Sequence, residues 1–322
     1  MKNLYIPSLK NKGIDDFTTD TGIKVRRFIS PILRKIVNIA CVRKIVLEGY
    51  PVLEKDTPYI FTSTHDFKHD VHAAIASMDR HGYLLEGTTN HIDYNPEFYA
   101  VFINGLIHVD RFDEKSRKES VPKMERIIKS GSSIIMYPEG SWNNHESMPV
   151  LPLFKGPYLV ANNLKKQGYN VKIVPMAQYQ NFDEKEVYVK VGEPIDIASY
   201  DSKEGLIKLR DALATLKWEL MEEHAPRVKR EDLGNDPRSL FLKEREKEYL
   251  RGNWKDDCYD EEIIMYKDKN IPYREDVLKP FENVKITKEN AHLIAPFLAE
   301  IENEKKYDLK EHMHKVHAKV KK

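Results

Sequence analysis

The chain has 322 residues, which suits one large domain or one domain with extensions. Hydrophobic residues make up 41% and charged residues 32%, enough for a sizeable core beneath a well-solvated surface. The formal net charge of +1 argues against a polyanionic partner for the chain as a whole, nucleic acid included.

Residues 1–23 are polar and weakly patterned and are expected to form a loose arm. Val25, Phe28, Ile29, Ile32, Leu33, Ile36, Val37 and Ala40 then recur at helical spacing. Lys24, Arg26, Arg27, Arg34 and Lys35 lie mostly off that stripe. Ser30-Pro31 reads as an N-cap followed by proline at the first helical position, where a longer helix would kink. The stripe fits packing on the protein's own sheet. It equally fits an amphipathic helix with a basic face lying on an anionic bilayer.

Lys44 to Gly49 reads as a strand and Glu54 to Thr57 as a turn. Helices are predicted at about Val71–Arg80, from Pro96, at Lys115–Ser130, from an opening at Phe154-Lys155-Gly156-Pro157 to about Lys166, and at Ser202–Glu223. Strands are predicted at Tyr83–Glu86, at Leu106–Val109 after the Gly105 turn, at Ser132–Tyr137, at Val171–Met176 ending at Pro175, and at Val187–Val191. Alternating strands and helices predict an α/β fold with a mainly parallel mixed sheet flanked by helices. The expected division is 1–44 (arm and amphipathic basic helix), 45–225 (main domain) and 226–322 (a charged, mostly helical extension).

The chain is organised around Pro58 to Asp70. A short aromatic and β-branched strand breaks into polar residues, and a helix follows. His65 and Asp70 are five apart. If the turn bends between them, the carboxylate reaches one imidazole nitrogen and the other faces out as a general base. Polar clusters after Phe61, Val109, Tyr137 and Val174 each fall at a predicted strand end, the edge where open α/β sheets build sites.

Four blocks stand in order: His65-x4-Asp70; Gly105 to Asp110-Arg111; Tyr137-Pro138-Glu139-Gly140-Ser141; and Val174-Pro175. Together with Leu153-Phe154-Lys155-Gly156 and Val191-x-Glu193-Pro194-Ile195, they resemble the glycerolipid acyltransferase family over about residues 45 to 225. Its familiar members are the 1-acylglycerol-3-phosphate acyltransferases. The resemblance implies that His65 takes the proton of an acceptor hydroxyl attacking an acyl thioester, with Asp70 orienting and stabilising the imidazole. It implies acyl-CoA or acyl carrier protein as co-substrate and no tightly bound cofactor. It also assigns acceptor binding to Arg111, Glu139, Gly140, Ser141 and Trp142. Arg111 is the natural phosphate partner. Glu139 would repel phosphate, so its expected partner is Arg111 or a glycerol hydroxyl, with a structural hydrogen bond as the alternative. Trp142 stands where the family commonly has arginine, which removes a cation and offers an indole that can stack on a sugar ring or acyl chain. Thr64 stands where asparagine is frequent.

Two other readings stay open. His65, Asp66, His69, Asp70 and His72 are crowded enough to suggest a metal-dependent hydrolase built on His65, His69 and His72. Loss of the arginine at Trp142 suggests a non-catalytic lipid-binding relative. Lipid acceptors in a bilayer would favour a membrane-surface role for residues 24–43. Cys41 and Cys258 lie in no metal or redox spacing, and no apolar run reaches the roughly 18 to 20 residues of a membrane span. The N-terminus lacks the apolar core of a signal peptide. The expected location is cytoplasmic, peripheral to the inner face of the membrane.

Overall fold

The computed structural model describes residues 18–41, 43–65, 69–87, 96–109, 114–140, 150, 153–181 and 185–224. In chain order the elements are α1 (Asp20–Phe28), α2 (Ser30–Ala40), β1 (Lys44–Gly49), β2 (Ile60–Ser63), α3 (Asp70–Ser77), β3 (Gly82–Gly87) and α4 (Pro96–Asn104). They continue with β4 (Leu106–Val109), α5 (Glu114–Lys129), β5 (Ser133–Met136), α6 (Gly156–Lys166), β6 (Ile173–Asn181), β7 (Glu186–Val191) and α7 (Ser202–His224). The predicted extension 226–322 lies outside the described residues.

The strands form one mixed sheet in the order β1-β7-β6-β2-β5-β3-β4. The five strands β6, β2, β5, β3 and β4 run parallel; β7 is antiparallel to β6, and β1 runs with β7. This is the expected mainly parallel mixed sheet, with β2 at its centre. β2 and β5 are buried along their whole length, as strands covered on both faces must be. Alternation sorts their side chains. Ile60, Ile134 and Ile173 enter the layer shared with Ile127 of α5, Leu164 of α6 and Leu213 of α7. Phe61, Ile135 and Val174 enter the layer shared with Val37 of α2, Ile75 of α3 and Val101 of α4. Each such side chain contributes about 1.5–3 kcal/mol on burial.

Three local expectations are corrected. The arm is not loose throughout: Thr19 caps α1 by accepting from the Gly22 N–H at 3.1 Å, and Ile23 is fully buried. Ser30 lies inside α2 rather than capping it. Ile29 holds the cap position, and its carbonyl accepts from Leu33, so α1 and α2 join with a single residue between them. Finally, β6 does not end at Pro175 but continues to Asn181. The β6–β7 ladder ends where Met176 opposes Val191, and the Pro175 carbonyl accepts from Gly192 just beyond it at 2.8 Å. The absent proline N–H falls on that same side, past the ladder's end, so the strand passes through proline at little cost.

The apolar stripe of the first two helices proves wider than one contact surface. Ile23, Leu33 and Val37 are buried, whereas Val25, Phe28, Ile32, Ile36 and Ile39 are exposed, Phe28 to 87%. Packing on the protein's own core therefore accounts for one face of the pair and leaves an outward apolar row. Arg26 and Arg34 reach back to the carbonyls of Ile103 and Met78, while Lys24 and Lys35 face solvent.

Candidate active site

The carboxyl end of β2 delivers Ser63, Thr64 and His65 to the middle of the sheet, and the helix bearing Asp70 starts five residues later. Asp70 occupies the first turn of α3, where the positive end of the helix dipole favours a carboxylate. Its Oδ2 lies 2.7 Å from Nδ1 of His65. The Asp70 side chain is fully buried, and that of His65 keeps 19% of its surface exposed. A carboxylate only accepts, so Nδ1 carries the proton and the neutral ring is the tautomer with Nε2 as its basic nitrogen.

Burial alone would pull the His65 pKa down. The charge and hydrogen bond of Asp70 outweigh it, with Glu86 and Glu139 adding, and the pKa is raised. The Tyr137 ring stands 4.3 Å from the His65 ring, centroid to centroid. Burial, then the charge of Asp70, hold its phenol far above the ordinary range, so it stays neutral.

Residues Tyr137 to Gly140 leave the end of β5 in a turn closed by Gly140 N–H to Tyr137 C=O at 3.0 Å. Gly140 has φ +71°, a conformation that glycine adopts without penalty. The turn sends Glu139 inward. It is fully buried, and its Oε1 accepts from the His65 backbone N–H at 3.0 Å. Glu139 thus fixes the residue carrying the imidazole and adds negative charge beside it. Arg111, Ser141 and Trp142, the other acceptor candidates, lie outside the described residues.

Thr64 gains a reading here. Its Oγ1 accepts from the Gln178 N–H at 3.1 Å, tying the end of β2 to β6. Gln178 itself was not foreseen. Its side chain donates to Ser63 Oγ and to the Asp70 carbonyl, both at 2.9 Å, and it is fully buried. The signal was present as the first of two glutamines after Pro175, in Met176-Ala177-Gln178-Tyr179-Gln180, but it was hidden by ending the strand there.

His69 and His72 are buried, with ring centroids 5.6 Å apart. Among the described residues, His65, His69 and His72 do not converge as a ligand set. The group whose ligand atoms do gather within 4.8 Å is Glu48, Glu223 and His224, on the edge strand β1 and the end of α7. That group lies three strands away from β2 in the sheet order.

Residues 44–179 match the family model described as Acyltransferase. These residues form a domain of the acyltransferase family. The matched stretch holds His65, Asp70, Glu139 and Gln178 together. Among solved structures, the chain is similar to the 1-acyl-sn-glycerophosphate (LPA) acyltransferase from Thermotoga maritima. Identity is 20% over 63% of this chain and 83% of that one, with a TM-score of 0.45. Among curated proteins nothing matches. No helix among the described residues is long and apolar enough to cross a membrane.

Proposed function

We propose that this acyltransferase moves a fatty acyl chain from an acyl-CoA or acyl-carrier-protein thioester to a hydroxyl of a lysophosphatidate-like or other glycerolipid acceptor. The observation that carries the reading is the 2.7 Å contact between His65 Nδ1 and a wholly buried Asp70, inside the family-matched stretch. An acceptor hydroxyl is a poor nucleophile near neutral pH. His65 Nε2 takes its proton as the new C–O bond forms at the thioester carbonyl. The C–S bond then breaks, and the imidazolium returns that proton to the leaving sulfur. Asp70 stabilises the imidazolium through the interval. The logic is that of a serine-hydrolase triad with the acceptor's hydroxyl in place of an enzyme serine.

Acceptor binding belongs to the second and third blocks, with Arg111 and Trp142 as the residues that decide headgroup chemistry. The enzyme works at a membrane surface, cytoplasmic and peripheral. The outward row of Val25, Phe28, Ile32, Ile36 and Ile39, flanked by Lys24 and Lys35, supports that location.

The test is thiol release from a long-chain acyl-CoA, wild type beside His65→Ala, with and without lysophosphatidate. Release that requires both His65 and the acceptor supports the proposal. Acceptor-dependent release by His65→Ala overturns the mechanism. Lipid binding without release across phosphorylated, sugar-bearing and neutral acceptors, with both donor types, favours the non-catalytic reading.

A further inference from the structure

Gln178 directs its backbone N–H and its side-chain amide nitrogen to both ends of the segment from Ser63 to Asp70. Its backbone N–H reaches Thr64 Oγ1, and its side-chain amide reaches Ser63 Oγ and the Asp70 carbonyl. Ser63 and Thr64 immediately precede His65, and Asp70 starts α3, so the residue brackets the loop that separates base from carboxylate. It is held in turn from the opposite layer. Lys217 of α7, itself buried, donates from Nζ to the Gln178 carbonyl at 2.5 Å. β6 pairs with β2 in parallel from Ile173–Ile60 to Met176–Ser63, so Gln178 stands just past the end of that ladder. The last backbone bond between the two strands is Thr64 N–H to the Met176 carbonyl at 3.2 Å, and beyond it the tie between them passes to side chains.

We infer that Gln178 is a positioning residue for acyl transfer, setting the separation of His65 and Asp70 by clamping both ends of the loop between them. The inference rests on His65 acting as base. The clamp matters because His65 lies past the end of β2 while Asp70 is the first residue of α3, and a misplacement of about 1 Å at a catalytic group can cost about 100-fold in rate. Gln178 makes no contact with a reacting atom in this role. Its effect passes through Asp70.

The test is Gln178→Met, which preserves volume and length but removes the donors. It is assayed beside wild type and His65→Ala for kcat, KM and pH–rate profile, with a thermal melt of each. The expected result is a kcat on the order of ten- to a hundred-fold lower, with the KM for acyl donor within about two-fold. The acid limb of kcat/KM should also move to lower pH. Among the described residues, the groups facing His65 include Asp70 from α3, Glu139 and Tyr137 from the turn after β5, and Glu86 from β3. Loosening Asp70 alone weakens the largest attraction holding the proton, and a merely destabilised fold would not move that limb. Should Gln178→Met fail to fold, Ser63→Ala removes one of the two amide acceptors and is judged on the same readouts, with a smaller change of the same sign. Wild-type kcat and an unmoved acid limb in the folded variant overturn the inference. An active His65→Ala overturns the proposed base instead, so the two failures are distinguishable.

Discussion

Asp70 meets His65 at hydrogen-bond distance while being wholly shut off from solvent, and the histidine is the more exposed of the two. That asymmetry suits a base whose far nitrogen must meet a substrate while its partner only holds charge. It also fixes a pH dependence. The His65 pKa lies above the ordinary value of about 6.5, and the base works only when neutral. Activity should therefore rise with pH through a limb placed above that value. Asp70→Asn removes the charge that outweighs burial, so its acid limb should lie below that of wild type even as kcat falls. His65→Ala should lower kcat by about 10² to 10⁴. The measurement is kcat/KM against pH for the three proteins. A limb that stays in place in Asp70→Asn would show that Asp70 is not what raises the histidine.

Much of this arrangement was legible in the chain, because it rests on local pattern. The His65-x4-Asp70 spacing, the strand before it and the helix after it are short-range features. So are the Gly105 turn at φ +129° and the strand that follows. What escaped depended on pairing between distant strands. Pro175 looked like a strand terminus because its harmlessness is visible only once Gly192 is known to lie opposite it. Gln178 was lost with the strand's end. The specific partner of Glu139 was not legible, because nothing local shows its carboxylate turning 74 positions back to the His65 amide. The double-sided stripe of α1 and α2 was legible as a pattern, but which side found the core was not.

That stripe carries its own prediction. Phe28 is 87% and Ile39 73% exposed, so neither contributes much to folding where it stands. Phe28→Ser with Ile39→Ser should leave the melting temperature nearly unchanged, within about 0.5 kcal/mol of stability for each surface change. If the row enters the acyl boundary of a bilayer, each side chain contributes about 1.5 kcal/mol or more there, so the double variant should lose on the order of 100-fold in vesicle partitioning. Sedimentation with anionic vesicles at low and high salt measures it. Lys24 and Lys35 should add a salt-sensitive part, roughly 1 kcal/mol each. Unchanged partitioning of a folded double variant would remove this row from the membrane contact.

His81 supplies a stability prediction far from the chemistry. It is buried between α4 and the start of β5, with Nε2 2.7 Å from the Asn104 carbonyl and Nδ1 3.1 Å from Ser132 Oγ. A carbonyl can only accept, so Nε2 carries the proton and Nδ1 accepts from the serine hydroxyl. Both contacts are satisfied by the neutral ring. Burial pulls its pKa down to about 4; the Asn104 carbonyl opposes this, and the nearby positive charges of Arg26, Arg34 and Arg27 reinforce it. The folded pKa is below the unfolded one, so between the two the unfolded chain binds a proton that the native state refuses. Stability from this group is therefore complete above about pH 6.5 and is lost as pH falls toward 4, by at most about 3 kcal/mol. Carboxylates also titrate over part of that range, so the informative quantity is a difference. His81→Gln keeps polar groups but has no proton to gain, and its stability should fall less steeply than that of wild type between pH 6.5 and 4.5. Urea unfolding of both proteins across that window measures the two slopes, and parallel slopes would show that His81 is protonated as readily in the native state as in the unfolded one.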